Sequence, residues 1–309
     1  MKQHVLRTIV GLALIAALVW FVDLHALVAV LSNLTVGIAL ALLALSAALI
    51  AVSAVKWKSF LDSSEHKLSL WRLFNLYLVG YFVNAFAPSF VGGDVVRSWY
   101  IGKRVGQHQA AAATILERYT GLVSMVGLAL IFVWFVHEIQ LRVVLMVLGV
   151  AFGVALVTVL ALSTRFAKWF EHLLPRAPIV RKVFANIAGI QDALCTIGAD
   201  RRRLGYAFAL SLLYHSLTVL NTLVAAHAVG WDTALARDLF VVLPLILLLG
   251  ALPVAPSGLG IQEGAFYFFL QSIGATPAQA LGVALVLRAK SYVLALVGGV
   301  IWLGMKRKE

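Results

Sequence analysis

Charge is what this sequence has least of. Of its 309 residues only 12% are Asp, Glu, Lys or Arg, while 62% are hydrophobic. Soluble domains carry roughly 25% charged and about 45–50% apolar residues, so an ordinary water-soluble fold is excluded. Cysteine is almost absent. The single thiol, Cys195, rules out an internal disulfide and a four-cysteine metal site. The eight histidines show no H-x-x-x-H spacing beside a carboxylate, so neither a metal site nor a cofactor is expected. No G-x-x-x-x-G-K-[ST] run occurs, so the chain has no P-loop of its own.

What the sequence has instead is long apolar blocks. Val5–Val22 is broken only by Arg7 and Thr8, and Leu34–Val55 holds no charge. Tyr119–Val136 and Val143–Ser163 are uncharged, as is Tyr206–Trp231 apart from histidines, and Leu239–Leu252 and Ala280–Gly304 follow. About 20 residues of helix cross the hydrocarbon, so such blocks read as membrane spans. The expected class is an all-α polytopic membrane protein, one transmembrane domain over 1–309. The first block, with Lys2 and Arg7 ahead of it, has the start of a signal peptide. It then runs through Trp20, Phe21 and Val22 without a small-residue cleavage site, so it reads as a retained anchor.

Acids are scarcer than bases, 13 against 25, which gives a net charge of +12. A basic balance can signal nucleic acid, but here membrane topology explains it, since Lys and Arg mark cytoplasmic loops. They gather in five places: at Lys2 and Arg7, over Lys56–Arg72, over Arg97–Arg118, over Arg165–Arg203, and at Lys306–Lys308. Arg142, Arg237, Arg288 and Lys290 stand apart. If every block simply crossed, two of the basic clusters would face outward. If the stretch around Tyr81–Val95 dips in and returns, and a second hairpin lies between Leu239 and Ile273, all five fall inside. The expectation is therefore about six full spans and two opposed re-entrant hairpins, near 74–96 and 239–273, in an inverted repeat. Both termini would be cytoplasmic, in a bacterial inner membrane.

The hairpin sequences are alike. Asn84-Ala-Phe-Ala-Pro88-Ser89-Phe-Val-Gly92-Gly93-Asp94 and Pro253-Val-Ala-Pro256-Ser257-Gly258-Leu259-Gly260-Ile-Gln-Glu263 both read Ala-Pro-Ser, then glycines, then an acid. Proline and clustered glycine end helices. Broken helices of opposite orientation mark the substrate site in many inverted-repeat transporters, although two kinked ordinary helices would read similarly. The polar stretch 164–204 carries apolar residues at helical spacing among its basic ones. It is expected to lie on the cytoplasmic membrane surface, or simply to connect the two halves.

Several charges sit where lipid makes them costly, at roughly 2.5–3.5 kcal/mol each at a helix centre. Asp94, Arg97, Glu117, Arg118, Glu263, Arg288 and Lys290 border or enter apolar blocks, so they should pair and face a cavity. The alternative for Glu117–Arg118 is ion pairing between helices. Broken helix ends offer free N–H groups and a positive dipole end, which suits an anion such as phosphate. Ser89, Ser257 and backbone amides would contact it, while Arg97, Arg118, Arg288 and Lys290 neutralise it. Enzyme readings find less support. Pro256-Ser257-Gly258 lacks the histidine that membrane lipid phosphatases carry next, and a rhomboid-type protease needs a histidine on a later helix, whereas none follows His227. His215 and His227 lie in one apolar block, where a lone histidine more often satisfies a neighbouring helix.

Taken together, the motifs resemble the membrane region of lysylphosphatidylglycerol synthase/flippase proteins in stand-alone form. The matching pieces are Asn84-x-Phe86-x-Pro88-Ser89-x-x-Gly92-Gly93-Asp94-x-x-Arg97, Glu117-Arg118-x-x-Gly121-Leu122, Pro256-Ser257-Gly258-Leu259-Gly260-x-x-Glu263-Gly264 and Arg288-x-x-Ser291-Tyr292, with Gly298-Gly299. The resemblance implies a lipid translocase fold with re-entrant helices. It implies movement of an anionic phospholipid, glycolipid or polyprenyl-phosphate-linked lipid between leaflets. Envelope-lipid synthesis proteins would be its possible partners. Nothing in these residues implies an aminoacyl-transferring domain. A lipid-modifying enzyme or a scaffold for envelope lipid synthesis are the competing readings.

Overall fold

The computed structural model describes residues 24–62, 67–86, 91–136, 140–162, 189–252 and 255–306. The first apolar block, the basic stretch up to residue 188, and Pro88 and Ser89 lie outside the described residues. Everything described is helix or short turn, with no strand among these residues. In chain order the helices are α1 (Leu24–Ser32), α2 (Val36–Leu61), α3 (Leu70–Phe86), α4 (Val91–Val105), α5 (Gln107–Phe132) and α6 (Leu141–Leu162). A helix over 189–198 is α7. Then come α8 (Arg201–Ala228), α9 (Ala236–Gly250), α10 (Ile261–Gln271) and α11 (Pro277–Lys306).

Five of these are long and apolar enough to cross a membrane: α2, α5, α6, α8 and α11. Their surfaces show why. Phe152 on α6 and Leu296, Val300 and Leu303 on α11 are largely exposed. That is the surface a protein presents when lipid, not water, is its solvent, because an all-round apolar helix is stable only in a core or a bilayer. A polar start sets the register of two spans. The Thr35 hydroxyl accepts the Ile38 N–H at the head of α2, and the Asp200 carboxylate accepts those of Arg202 and Arg203 at the head of α8.

Of the other six helices, α3, α4, α9 and α10 form the expected broken pairs. In the first pair α3 packs on α4, and in the second α9 packs on α10. At 17, 15, 15 and 11 residues they reach about 25 Å or less, short of the roughly 30 Å hydrocarbon. The first pair extends beyond the sequence boundaries at both ends, α3 starting at Leu70 and α4 ending at Val105, while the second starts three residues before 239 and ends two before 273. Gly106 at φ 95° stops α4. The span that the sequence starts at Tyr119 begins twelve residues earlier, at Gln107. Glu117 and Arg118 therefore sit about 15 Å inside α5, well clear of its end.

Two large apolar cores, and a small one of Leu27, Ala278 and Leu281, hold the bundle together. One surrounds the first pair, with Trp57, Phe60, Leu73, Leu76 and Ile101 fully buried. The other surrounds the second pair, with Leu239, Ile246, Phe266 and Leu270. Helix α11 joins them, and its most extensive contact is with α3. Gly298 makes that contact possible: a Cβ there would collide with the Leu78 carbonyl. Gly93 does the same inside the first pair, where a Cβ would come within 2.5 Å of the Gly80 carbonyl oxygen. Small residues let membrane helices approach at the backbone, and close packing is what holds helices together in lipid.

Candidate functional site

Both broken pairs end on a single cavity of about 660 Å³. Its walls come from α2, α3, α4, α5, α8, α9, α10 and α11. Of the expected site residues, Asn84, Gly93, Asp94, Arg97, Glu117, Arg118, Ser257, Glu263, Arg288, Lys290, Ser291 and Tyr292 line it. Gly92, Gly258 and Gly260 stand beside lining residues and shape the tips. Pro256 opens the short 3-10 turn Pro256–Gly258.

The charges form two clusters of the same design. In each, an acid in the first turn of the hairpin's second helix pairs with an arginine on the span that follows. Asp94 on α4 takes both ends of the Arg118 fork, at 2.8 Å each. Glu263 on α10 takes Arg288 Nε at 2.5 Å. The separations along the chain are 24 and 25 residues. A fork held by a carboxylate in low dielectric is strong and fixes orientation. The repeat that the motifs suggested is thus present in the ion pairs as well.

Around these pairs the details diverge. In the first cluster Arg97 is only 1% exposed. It donates to Asp94 at 3.1 Å and to Glu117 at 2.5 Å. Its guanidinium lies 4.5 Å from the Trp57 ring and 4.2 Å from the Tyr77 ring. Its remaining nitrogen, Nη1, has no hydrogen-bond partner, which the two ring faces compensate in part by cation–π attraction. Lys56 completes the cluster, 3.7 Å from Glu117 and 3.1 Å from the Ser211 hydroxyl on α8.

In the second cluster Arg288 is spent on the hairpin tip. Besides Glu263 it reaches the Ser257 carbonyl at 2.8 Å, the Ser257 hydroxyl at 3.3 Å and Gln262 at 3.2 Å. These bonds hold Ser257 at φ 51°, a left-handed conformation that costs a non-glycine residue free energy.

Two expectations change in detail. The tip amides singled out as an anion seat are partly taken: Gly93 N–H donates to Asn84 Oδ1, and Gly260 N–H to Glu263 Oε2, both at 2.7 Å. Arg97 and Arg288, expected to meet the head group, are already engaged, Arg97 by two carboxylates and two ring faces and Arg288 by a carboxylate and the hairpin tip. The cations left accessible are Arg118, whose side chain is 56% exposed, and Lys290. Lys290 lines the cavity with no ion pair or hydrogen bond among the described residues. His215 does what a lone buried histidine usually does, bonding the Gly121 carbonyl at 2.9 Å.

Sequence reasoning missed Lys56, Tyr77, Trp57 and the polar face of α8. Lys56 reads as a loop cation because it opens the run Lys56-Trp57-Lys58, yet it is buried. The charge balance is the plainest chemical property of the site. Five cations, Lys56, Arg97, Arg118, Arg288 and Lys290, line the cavity against three carboxylates, Asp94, Glu117 and Glu263. The cations exceed the carboxylates by two, and among them Lys290 alone has no carboxylate partner among the described residues. Among the described residues no group of His, Cys, Asp and Glu is arranged to hold a metal.

Fold and site together define a polytopic α-helical membrane protein with two broken helix pairs converging on a positively charged intramembrane cavity. Over residues 8–299 the chain matches the profile of the lysylphosphatidylglycerol synthase transmembrane region, and it belongs to that family. It is similar to a UPF0104 membrane protein of Pyrococcus horikoshii, 23% identical over 97% of this chain and 96% of the relative. One from Methanothermobacter thermautotrophicus is 25% identical over 83% and 80% of the two chains, and one from Methanocaldococcus jannaschii 21% over 97% and 94%. No solved structure matches it.

Proposed function

We propose that this protein carries an anionic lipid between membrane leaflets, with the head group in the cavity and the acyl chains left in the bilayer. The observation that carries this reading is the unbalanced charge: two cations in excess, inside a membrane protein, with Lys290 unpaired. Uncompensated charge in hydrocarbon is costly and by default marks a substrate or ion path. A phosphate group supplies one to two negative charges and suits both a lysine and the Arg118 Nη1 group that Asp94 leaves unbonded. Apolar residues such as Leu122, Leu247 and Leu287 share the same walls, which suits an amphiphile. The basic loops would place the carrier in a cytoplasmic membrane with both termini inside.

Reconstitution into liposomes with fluorescent phosphatidylglycerol tests this. Leaflet exchange, read by dithionite quenching, should be faster than in protein-free vesicles. Lys290→Gln should slow it by about tenfold, the worth of one charged hydrogen bond, and Lys290→Arg should restore most of it. The reading fails if no anionic lipid exchanges, or if Lys290→Gln and Arg118→Gln together leave the rate unchanged.

A further inference from the structure

One wall of the cavity is not charged at all. Along α8, Tyr214, Thr218, Asn221 and Thr222 line it, continuing a face that begins at Ser211, the partner of Lys56. From Ser211 to Thr222 this face rises about 16 Å along the helix. Ser46 on α2 belongs to the same cavity. These groups share a hydrogen-bond character. Thr218 donates its hydroxyl proton to the Tyr214 carbonyl, Thr222 to that of Thr218, and Ser46 to that of Leu42, at 2.7–3.0 Å. A hydroxyl has one proton, so only acceptor lone pairs remain on these oxygens.

Asn221 is more telling. It is 4% exposed, and its amide oxygen is buried without a hydrogen-bond partner. An unsatisfied amide oxygen in a membrane span is expensive, and a donor from a ligand relieves it. The Asn221 amide nitrogen and the Tyr214 hydroxyl can also donate, so the wall is neutral and mixed, with acceptor oxygens in the majority. It suits a neutral ligand that brings donors.

Two kinds of donor are available to a lipid head group, hydroxyl and ammonium. The carboxylates decide between them. Asp94, Glu117 and Glu263 are each engaged by arginine within 2.5–3.1 Å, and the cavity already holds excess positive charge. An ammonium would enter with no anion to meet it. Hydroxyls meet acceptors and add no charge.

Resting on the anionic-lipid reading above, we propose that the substrate is a phospholipid whose head group carries a neutral sugar or polyol beyond the phosphate. The phosphate lies toward Lys290 and Arg118. The hydroxyls lie along Thr218, Asn221 and Thr222. An aminoacylated, ammonium-bearing head group is disfavoured.

The test is lipid binding to the full-length protein in detergent, followed by tryptophan fluorescence. Four probes have matched acyl chains: phosphatidylinositol, phosphatidylglycerol, phosphatidic acid and lysyl-phosphatidylglycerol. Soluble inositol phosphate is the fifth. Phosphatidylinositol should bind about tenfold more tightly than phosphatidic acid, the worth of two or so neutral hydrogen bonds. Phosphatidylglycerol should fall between them, and lysyl-phosphatidylglycerol should bind weakest of the lipids. The soluble phosphate should bind weakly, because it lacks the acyl chains. Asn221→Leu and, separately, Thr222→Val should each bring the phosphatidylinositol to phosphatidic acid ratio toward one, while Lys290→Gln weakens both lipids in parallel. Equal binding of phosphatidic acid and phosphatidylinositol overturns the sugar or polyol assignment and leaves the anionic-lipid reading standing. So does tighter binding of the lysyl lipid. If neither phosphatidic acid nor the other anionic lipids bind, both fall, and tight binding of the soluble phosphate alone removes the lipid from the reading.

Discussion

At the residue scale the informative groups are ionised side chains in a place that penalises them. All but Lys290 have a charged partner among the described residues. Removing one member of a buried pair strands the other, at a cost of about 3–5 kcal/mol, whereas replacing both by apolar residues is often neutral. Glu263→Gln should therefore lower the thermal midpoint in detergent strongly, and the double change Glu263→Met with Arg288→Met should recover most of the loss. A double change no better than the single one would show that Arg288 acts through Ser257 rather than through the carboxylate. The sequence made this cluster readable, because Asp94, Arg97, Glu117, Arg118, Glu263 and Arg288 interrupt apolar runs. It hid Lys56, which sits beside Lys58 and looks like a loop cation. It also hid Trp57 and Tyr77, since aromatics in apolar helices carry no sign of the guanidinium that they flank. Nor did it show which cations are spent. Spacing along a chain does not tell whether Arg97 meets a ligand or two carboxylates.

At the element scale the broken pairs were legible from Pro-Ser-Gly punctuation and from the distribution of lysine and arginine. Their ends were not. Helix α5 begins at Gln107 because Gln-His-Gln-Ala-Ala-Ala is good helix even though it is not apolar enough to count as span. Length and hydropathy find the crossing, not the helix. The α3–α11 contact is the element-scale feature most open to test. Gly298→Val places a branched side chain against the Leu78 backbone, which cannot yield as a side chain would. The expected result is a loss of about 1–3 kcal/mol, typical of overpacking. It should be read from thermal unfolding of the purified protein. Gly304→Val on the same helix meets open space and should leave the midpoint nearly unchanged.

At the scale of the whole molecule, burial is distributed unevenly. Half of the most apolar window of α11 is buried, against 11% of that of α6. One is the axle of the bundle; the other faces lipid along most of its length. Phe152→Ala on α6 should change stability by no more than about 0.5 kcal/mol. Phe266→Ala, in the core around the second pair, should cost about 3–5 kcal/mol. Denaturation in mixed micelles distinguishes the two, and a large loss at Phe152 would mean that α6 meets a partner rather than lipid.

Glu117 has a mechanical consequence. It is gripped by Arg97 from α4 and Lys56 from α2, and Lys56 is in turn tied to Ser211 on α8. One carboxylate therefore rivets four helices, and sliding the first hairpin past its neighbours strains several charged contacts at once. The second hairpin hangs on Arg288 and bends through a turn already held in a disfavoured conformation. One side of the cavity is thus braced by four helices through a single carboxylate, and the other by the one side chain of Arg288, which holds the Ser257 turn.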